Sequence, residues 1–304
     1  VSNIKIKSVT EENLADAVEI FNTFAEDIPH WFATNEAAFK RDLLEGARTL
    51  HEVPFPYEPQ TCLLAYDGDA PLGFVHAGIA PRLGVTKHES ETSGANAVIR
   101  CMLFPEDRAD IGEAMLDRVM EFFLSQSPDS TVAFEGELGY PNMSGGAGLC
   151  PVSLQHVITL LRSRRFKESF RFVWYDREIG DEPEVVLPAG IEIKREREKH
   201  DSGDMLRYTL TINGEAASVC HVALMRDMVG EAGARRAYIY NNTTYAPFRR
   251  KGNAKLLTQH VLADLKVFAM RRVFTLVPVD NLSARKLYEG TAFQAGAEAV
   301  EMEL

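Results

Sequence analysis

Apolar and polar positions follow two periods along this chain, and the order of the periods repeats. Residues 4–9 alternate as a strand does, and residues 13–24 then set Leu14, Ala17, Val18 and Phe21 on one helical face. A second helix is predicted near 35–44, and the three prolines of 51–59 predict a loop. Residues 61–66 and 72–80 are strand-like around Asp67-Gly68-Asp69, whose residue types suit a reversal, so a hairpin is expected. A strand over 96–104, a helix after Pro105 carrying Leu116, Val119, Met120 and Phe123 on one face, a strand over 131–138, a helix over 154–164 and a strand over 170–179 follow. The charged, proline-containing stretch 180–188 reads as a boundary. Beyond it the series restarts: a strand at 191–195, a hairpin of 205–212 and 216–224 around Asn213-Gly214, and a strand-like stretch from 238. Leu257, Val261, Leu265 and Phe268 then mark a helix, and 273–277 an apolar strand.

This order predicts an α/β chain with mixed sheets, built as two tandem copies of one fold, 1–180 and 181–304. The copies differ between opening strand and hairpin, where the first has room for two helices and the second for none. The C-terminal copy is therefore the shortened one.

One segment points to a ligand. Residues 238–254, YIYNNTTYAPFRRKGNA, run a strand through Tyr245 and Arg249-x-x-Gly252-x-Ala254 straight into the amphipathic helix. Small residues at Gly252 and Ala254 let a bound group approach the backbone, and the free N–H groups of the first helical turn, Asn253 among them, favour negative charge. Arg249, Arg250, Lys251 and Lys255 surround the loop with positive charge in a chain of formal net charge −11, which suits a polyanion such as a pyrophosphate. The pattern alone is also that of any basic, glycine-containing turn between strand and helix. A second segment follows downstream: Asp280-Asn281-x-x-Ala284-x-x-x-Tyr288, then a small-residue turn and Phe293.

The two segments, in this order, resemble the GNAT acetyltransferase superfamily: the first is similar to its acetyl-CoA loop, the second to its Asn-x-x-Ala-x-x-x-Tyr helix. The resemblance departs at Thr291-Ala292-Phe293, where the family usually ends in Gly-Phe. It implies a tandem-domain member of that superfamily that transfers an acetyl or short acyl group from acetyl-CoA to an amine by direct attack. It implies also that Asn281 bonds the pantetheine arm or caps its own helix, that a splayed strand at 240–244 offers backbone groups to the acetyl and pantetheine portions, and that Tyr288 protonates the departing thiolate. A phenol is protonated at neutral pH, as that role requires. No base is legible: Glu215, His221, Glu135 and Glu137 are open candidates, and a water chain is an alternative. In the family the two helices missing from the second copy help wall the acceptor site, which the first copy is then expected to supply. The alternative to an enzyme is a noncatalytic acyl-CoA-binding or protein-interaction module on the same fold.

The corresponding loop of the first copy runs from Phe104 to Ala114 and sets Glu106, Asp107, Asp110 and Glu113 around the single Arg108, with Arg108 to Gly112 one residue longer than Arg249 to Gly252. Adjacent phosphates would be repelled there, so this half is expected to have lost its cofactor site.

Composition narrows the classes. The chain has 304 residues, 45% hydrophobic and 25% charged, enough to bury two cores. Its acidic balance argues against nucleic acid or anionic membrane as partner, no run of about eighteen apolar residues suggests a span, and the opening residues do not read as a secretory signal, so a cytosolic protein is expected. The four cysteines and eight histidines show no metal-ligand spacing, so no metal is expected and the cysteines read as core residues. There is neither a P-loop Lys-Ser/Thr after Gly252 nor a Gly-x-Gly-x-x-Gly. The acceptor, a small-molecule amine or a peptide N-terminus, is left open, with loops such as 25–35 and 82–96 as the expected determinants; oligomeric state is open too.

Overall fold

The computed structural model describes residues 4–44, 47–48, 54–55, 58–81, 95–136, 138–200, 203–225 and 235–304. It divides into two compact units, Val1–Arg171 with Ala299–Leu304, and Phe172–Glu298. The division expected at 180/181 therefore differs from the observed one in two ways: the first unit ends before the expected boundary, and it takes back the last residues of the chain.

In the first unit, strands β1 (Ile4–Ser8), β4 (Gln60–Asp67), β5 (Ala70–Pro81) and β6 (Ala95–Leu103) pair antiparallel in that order, and β7 (Ser130–Ala133) adds parallel to β6. Residues 47–48 and 54–55 form the small ribbon β2–β3, so part of the expected loop is paired; the rest of 51–57 lies outside the described residues. Helices α1 (Leu14–Ala25), α2 (Glu36–Leu43), α3 (Ala109–Gln126) and α4 (Gln155–Ser163) fall where the periodicity predicts them. Leu14, Ala17, Phe21, Phe39, Leu116, Val119 and Phe123 enter one core, which accounts for their spacing. The strand expected over 131–138 is cut short: Phe134 takes φ 62°, a left-handed conformation that ends the ladder.

Strand β9 (Lys167–Glu178) begins in the first unit and ends in the second, where it pairs antiparallel with β14 (Arg272–Pro278) from Glu178↔Arg272 to Phe172↔Pro278. Val173 and Tyr175 lie in the second unit's core, which is why the boundary falls before them. The second unit continues from β14 through β13 (Arg236–Thr244), β12 (Glu215–Met225), β11 (Gly203–Ile212) and β10 (Ile191–His200). Only 201–202 separate β10 from β11, so the shortened copy has no helices at that point. Helix α5 (Asn253–Val267) buries Leu257, Val261 and Leu265, as its sequence predicts. Its orientation is pinned by Asp264, which accepts from Arg195 of β10 at 2.7 Å and from the Tyr208 hydroxyl of β11 at 2.8 Å.

The last strand, β15 (Gln294–Glu303), carries no clear sequence signal, being mostly Ala, Gly and Glu. Its end belongs to the first unit: Val300 pairs with Cys150 of the two-residue strand β8 (Cys150–Pro151), Met302 pairs with Ala133, and both side chains are buried in the first core. Replacing Met302 by Ala is accordingly expected to cost about 2–5 kcal/mol and to be felt by the N-terminal unit. Hydrogen exchange should show lost protection in β7 and unchanged protection in α5; an equal loss in both would contradict the division.

Candidate functional site

The second unit contains a fork. Strands β13 and β14 pair in parallel from Arg236↔Arg272 to Ile239↔Thr275, and no pair follows, although β13 runs on to Thr244 and β14 to Pro278. Each prong stays bonded to its outer neighbour: β13 to β12 as far as Thr244↔Ser218, β14 to β9 as far as Pro278↔Phe172. The divergence begins at a bulge, where Val222 pairs with Ile239 but His221 with Asn241, so that Tyr240 is the extra residue. The inner backbone edge of 240–244 is thereby left for another extended group, as the predicted splayed strand requires.

The loop after β13 ends beside this gap. Tyr245 is part-exposed, residues Ala246–Phe248 make one 3-10 turn, and Arg250 and Gly252 take φ 61° and 84° before α5 begins. A Cβ built on Gly252 would meet nothing within 4 Å, so the space over the first turn is open; it is the conformation, not crowding, that favours glycine here. Arg250, Lys251 and Lys255 are exposed around it. Arg249 donates Nε to the Thr244 carbonyl at 2.9 Å, tying loop to prong, and Lys251 Nζ lies 5.8 Å from the Phe248 ring centre. Two of the predicted ligands are also structural. Asn253 is 5% exposed and donates Nδ2 to the Phe248 carbonyl at 2.8 Å, so its side chain holds the loop. Asn281 caps helix α6 (Leu282–Glu289), accepting from Ala284 N at 3.1 Å.

Tyr288 is 4% exposed, with Phe293 edge-on at 5.1 Å between ring centres and Tyr175 at 6.1 Å. Burial raises its pKa well above the ordinary tyrosine range, so it is a phenol at every working pH. Thr275 of β14 and Asn242 of β13 favour the ionised form of its hydroxyl. Of the four candidate bases, His221 reaches the fork, its ring stacked on Tyr240 with centres 5.4 Å apart. Glu215 sits in the hairpin turn opposite Ile212, Glu135 belongs to the first unit, and Glu137 lies outside the described residues, as do 82–94 of the second expected acceptor loop. A cavity of about 360 Å³ lined by Asp176, Arg177, Arg272 and Gln294 opens at the other end of β14; its arginines are paired, Arg272 with Asp176 and Arg177 with Glu182.

The first unit repeats the fork and fills it. Strands β6 and β7 pair from Asn96↔Ser130 to Ile99↔Ala133, and β6 bulges at the next residue, Arg100, the counterpart of Tyr240. Arg100 is 1% exposed and donates to the carbonyls of Leu138, Gly139 and Asp42 at 2.7, 3.0 and 3.0 Å, with its guanidinium 4.0 Å over the Tyr140 ring. Burial pushes the Asp42 carboxyl up to about 6, against the pull of Arg100. Burial and then Arg100 hold His76 neutral, between the Tyr140 hydroxyl at 2.8 Å and Gln60 Oε1 at 2.9 Å. The loop differs as well: α3 starts at Ala109, so Gly112 lies inside the helix, where a Cβ would come within 2.5 Å of the Phe104 ring. Arg108 is engaged by Asp67 and Asp110, both at 3.0 Å. There is no glycine cradle at this helix start.

Residues 159–293 match the model of the acetyltransferase (GNAT) family. This part of the chain belongs to the GNAT acetyltransferases. The fold over the whole chain is similar to a tandem GNAT protein from the clavulanic acid biosynthesis pathway, at TM-score 0.68 and 12% identity, covering 99% of this chain and 98% of that one. A GCN5-related N-acetyltransferase from Sphaerobacter thermophilus aligns at TM-score 0.65 and 11% identity over 99% and 95% of the two chains. A GCN5-related glucosamine N-acetyltransferase region of a fungal multi-domain β-N-acetylglucosaminidase aligns at TM-score 0.71 and 10% identity, over all of this chain and 38% of that one. No curated protein matches. Among the described residues no group of acidic, His or Cys side chains could hold a metal ion, and no helix is long and apolar enough to cross a membrane.

Arg100 plugs the first fork by donating to three carbonyls, so Arg100→Met is expected to destabilise the N-terminal unit by roughly 1–3 kcal/mol for each carbonyl left unsatisfied. Arg100→Lys should recover only part of the loss, because an ammonium does not span three carbonyls in a plane. Denaturation monitored by hydrogen exchange checks it; a silent Arg100→Met would show that the plug carries no load.

Proposed function

We propose that the chain is an N-acetyltransferase, moving an acetyl or short acyl group from acetyl-CoA to an amine acceptor, a small molecule or a peptide N-terminus, with the donor held by the C-terminal unit alone. The observation that carries this reading is the open fork of β13 and β14 beside the uncrowded, basic start of α5. In this reading the first-turn N–H groups at Asn253, Ala254 and Lys255, with Arg249, Arg250 and Lys251 around Gly252, hold the pyrophosphate. Tyr245 and Asn281 flank the donor, and the unpaired edge of 240–244 holds its pantetheine arm as an added strand would.

The chemistry then follows from the charges that move. A neutral amine attacks the thioester carbon, its nitrogen–carbon bond forms as the carbon–sulfur bond breaks, and backbone N–H groups of the prong face the carbonyl oxygen as it gains charge. Tyr288 gives its proton to the leaving sulfur. His221, against Tyr240 at the bulge, is the candidate to receive the proton the amine loses, directly or through water. The filled fork and carboxylate-engaged Arg108 of the first unit favour a single donor site per chain.

Calorimetry with coenzyme A should give about one site per chain. Gly252→Glu should abolish binding by placing a carboxylate in the cradle, and Lys255→Glu, which leaves the backbone conformation untouched, should weaken it. Arg108→Ala should leave the affinity unchanged; a second site lost with Arg108 would overturn the single-site reading. Acetyl-CoA with a panel of amines, polyamines, amino acids, aminoglycosides and peptides then separates transferase from acyl-CoA-binding module by whether thiol is released.

For Tyr288→Phe, turnover should fall by roughly two to four orders of magnitude with coenzyme A affinity little changed. Because burial raises the Tyr288 pKa, the acid stays protonated as pH rises, and kcat should not decline through loss of that proton below about pH 10. A variant turning over within about threefold of wild type would assign the acid role to water instead.

A further inference from the structure

The two forks keep one side chain in common and differ in what stands beside it. His76 pairs with Cys101, the residue after the bulge at Arg100, and on its other side with Cys62 of β4. His221 holds the matching place in the second unit, between Asn241, the residue after the bulge at Tyr240, and Arg207 of β11. Residues directly opposite in an antiparallel pair share a face of the sheet. The neighbours Leu206, Tyr208, Cys220 and Val222 lie in the core into which α5 and α6 pack, so Arg207 and His221 stand on the other face. Their row ends at the fork with Tyr240, whose ring stacks on His221 with centres 5.4 Å apart. Where the first unit buries Cys62, the second exposes Arg207. The fold itself therefore does not call for a cation at this position.

We propose that Arg207 determines acceptor specificity: it binds the carboxylate of an amino acid whose amine reaches the fork at His221 and Tyr240. The inference rests on the transferase reading, and it puts the acceptor on the sheet face away from α5. That face is the one left for it, because the α5 side is filled by Cys220, Val222, Leu257 and Tyr288, all buried. From the fork outward the row presents an aromatic ring, an imidazole that can take a proton and a permanent cation. An amino acid with its amine innermost requires this order. A guanidinium meets a carboxylate through two parallel N–H bonds, and so selects it over a neutral group. Glu196, opposite Arg207 on the outer side, is itself ion-paired with Lys194 at 2.8 Å, so the arginine's outward neighbour already has a cation of its own. The backbone of β11 lies two strand spacings, about 10 Å, from β13. A long side chain from there meets a carboxylate a few bonds removed from the attacking nitrogen. A chain of formal net charge −11 repels anions in general, so a local cation is needed to hold one beside the fork.

The test reads thiol release from acetyl-CoA with matched acceptors: γ-aminobutyrate against butylamine and alanine against alaninamide, with spermidine and a neutral tripeptide amide as further arms. The carboxylate member of each pair should have the lower KM, and added salt should shrink the difference. Arg207→Gln should raise KM for that member roughly five- to tenfold, while its kcat, the rate with butylamine and the calorimetric affinity for coenzyme A stay within about twofold. Arg207→Glu should reverse the preference, and Arg207→Lys should keep part of it. Arg207 is exposed, so these variants are expected to fold as the wild type does. Butylamine, alaninamide, spermidine or the peptide amide as the fastest acceptor overturns the assignment, as does an Arg207→Gln enzyme with the wild-type preference; either result leaves the transferase reading in place. A protein that binds coenzyme A and releases no thiol with any of these acceptors overturns the transferase reading and this inference with it.

Discussion

Everything in the C-terminal unit is arranged around a parallel pairing that stops. Four rungs join β13 to β14, and then each strand keeps its outer partner and gives up its inner one. Unpaired strand edges in a sheet interior are costly unless something else completes them. The bulge at Tyr240 aims the upper half of β13 away from β14 without breaking its bonds to β12, so the divergence is built into the register and does not need a mobile segment. The loop that follows is then delivered beside the gap, tied by Arg249 to the Thr244 carbonyl, and α5 starts directly after it.

The N-terminal unit shows the other way to satisfy the same constraint. Its fork has the same four rungs and a bulge at the matching residue, yet the side chain there is an arginine that donates to three carbonyls of its own unit. Buried guanidinium is tolerated because each of its three nitrogens donates to a carbonyl and a ring lies against its face. The helix that follows lacks the left-handed glycine start, and Phe104 packs where a Cβ on Gly112 would otherwise project. One fold thus appears with its gap open and with its gap closed, and three local changes separate the two: the bulge residue, the helix start and the charge of the loop.

Electrostatics and burial act in opposite directions at the fork. Burial keeps Tyr288 protonated, while Thr275 and Asn242 act in the other direction. The fold holds the ring between Phe293 and Tyr175 and leaves the hydroxyl at the junction of the two prongs, so its chemistry is set by side chains from strands and a helix distant in sequence.

Local pattern determined much of this protein. Helical and strand periods located α1 to α5 and most strands, because each has one face to bury; α6 was expected from the family motif, and the paired loop and helix segments marked the GNAT half, because they combine backbone conformation, small size and charge within a few residues. The tandem organisation was legible from the repeated order of elements. Tertiary structure alone decided the rest. A strand of Ala, Gly and Glu such as β15 has no period to read, and its end joins the first unit by pairing with β7 and β8. The lone arginine in the apolar run 96–104 was a visible irregularity, but that it fills a fork depends on carbonyls at 42, 138 and 139. The same holds for Asn242: a polar residue on a strand shows its type in the sequence, whereas its partner Thr258 meets it only when strand and helix pack, because hydrogen-bond direction is a property of three-dimensional neighbours.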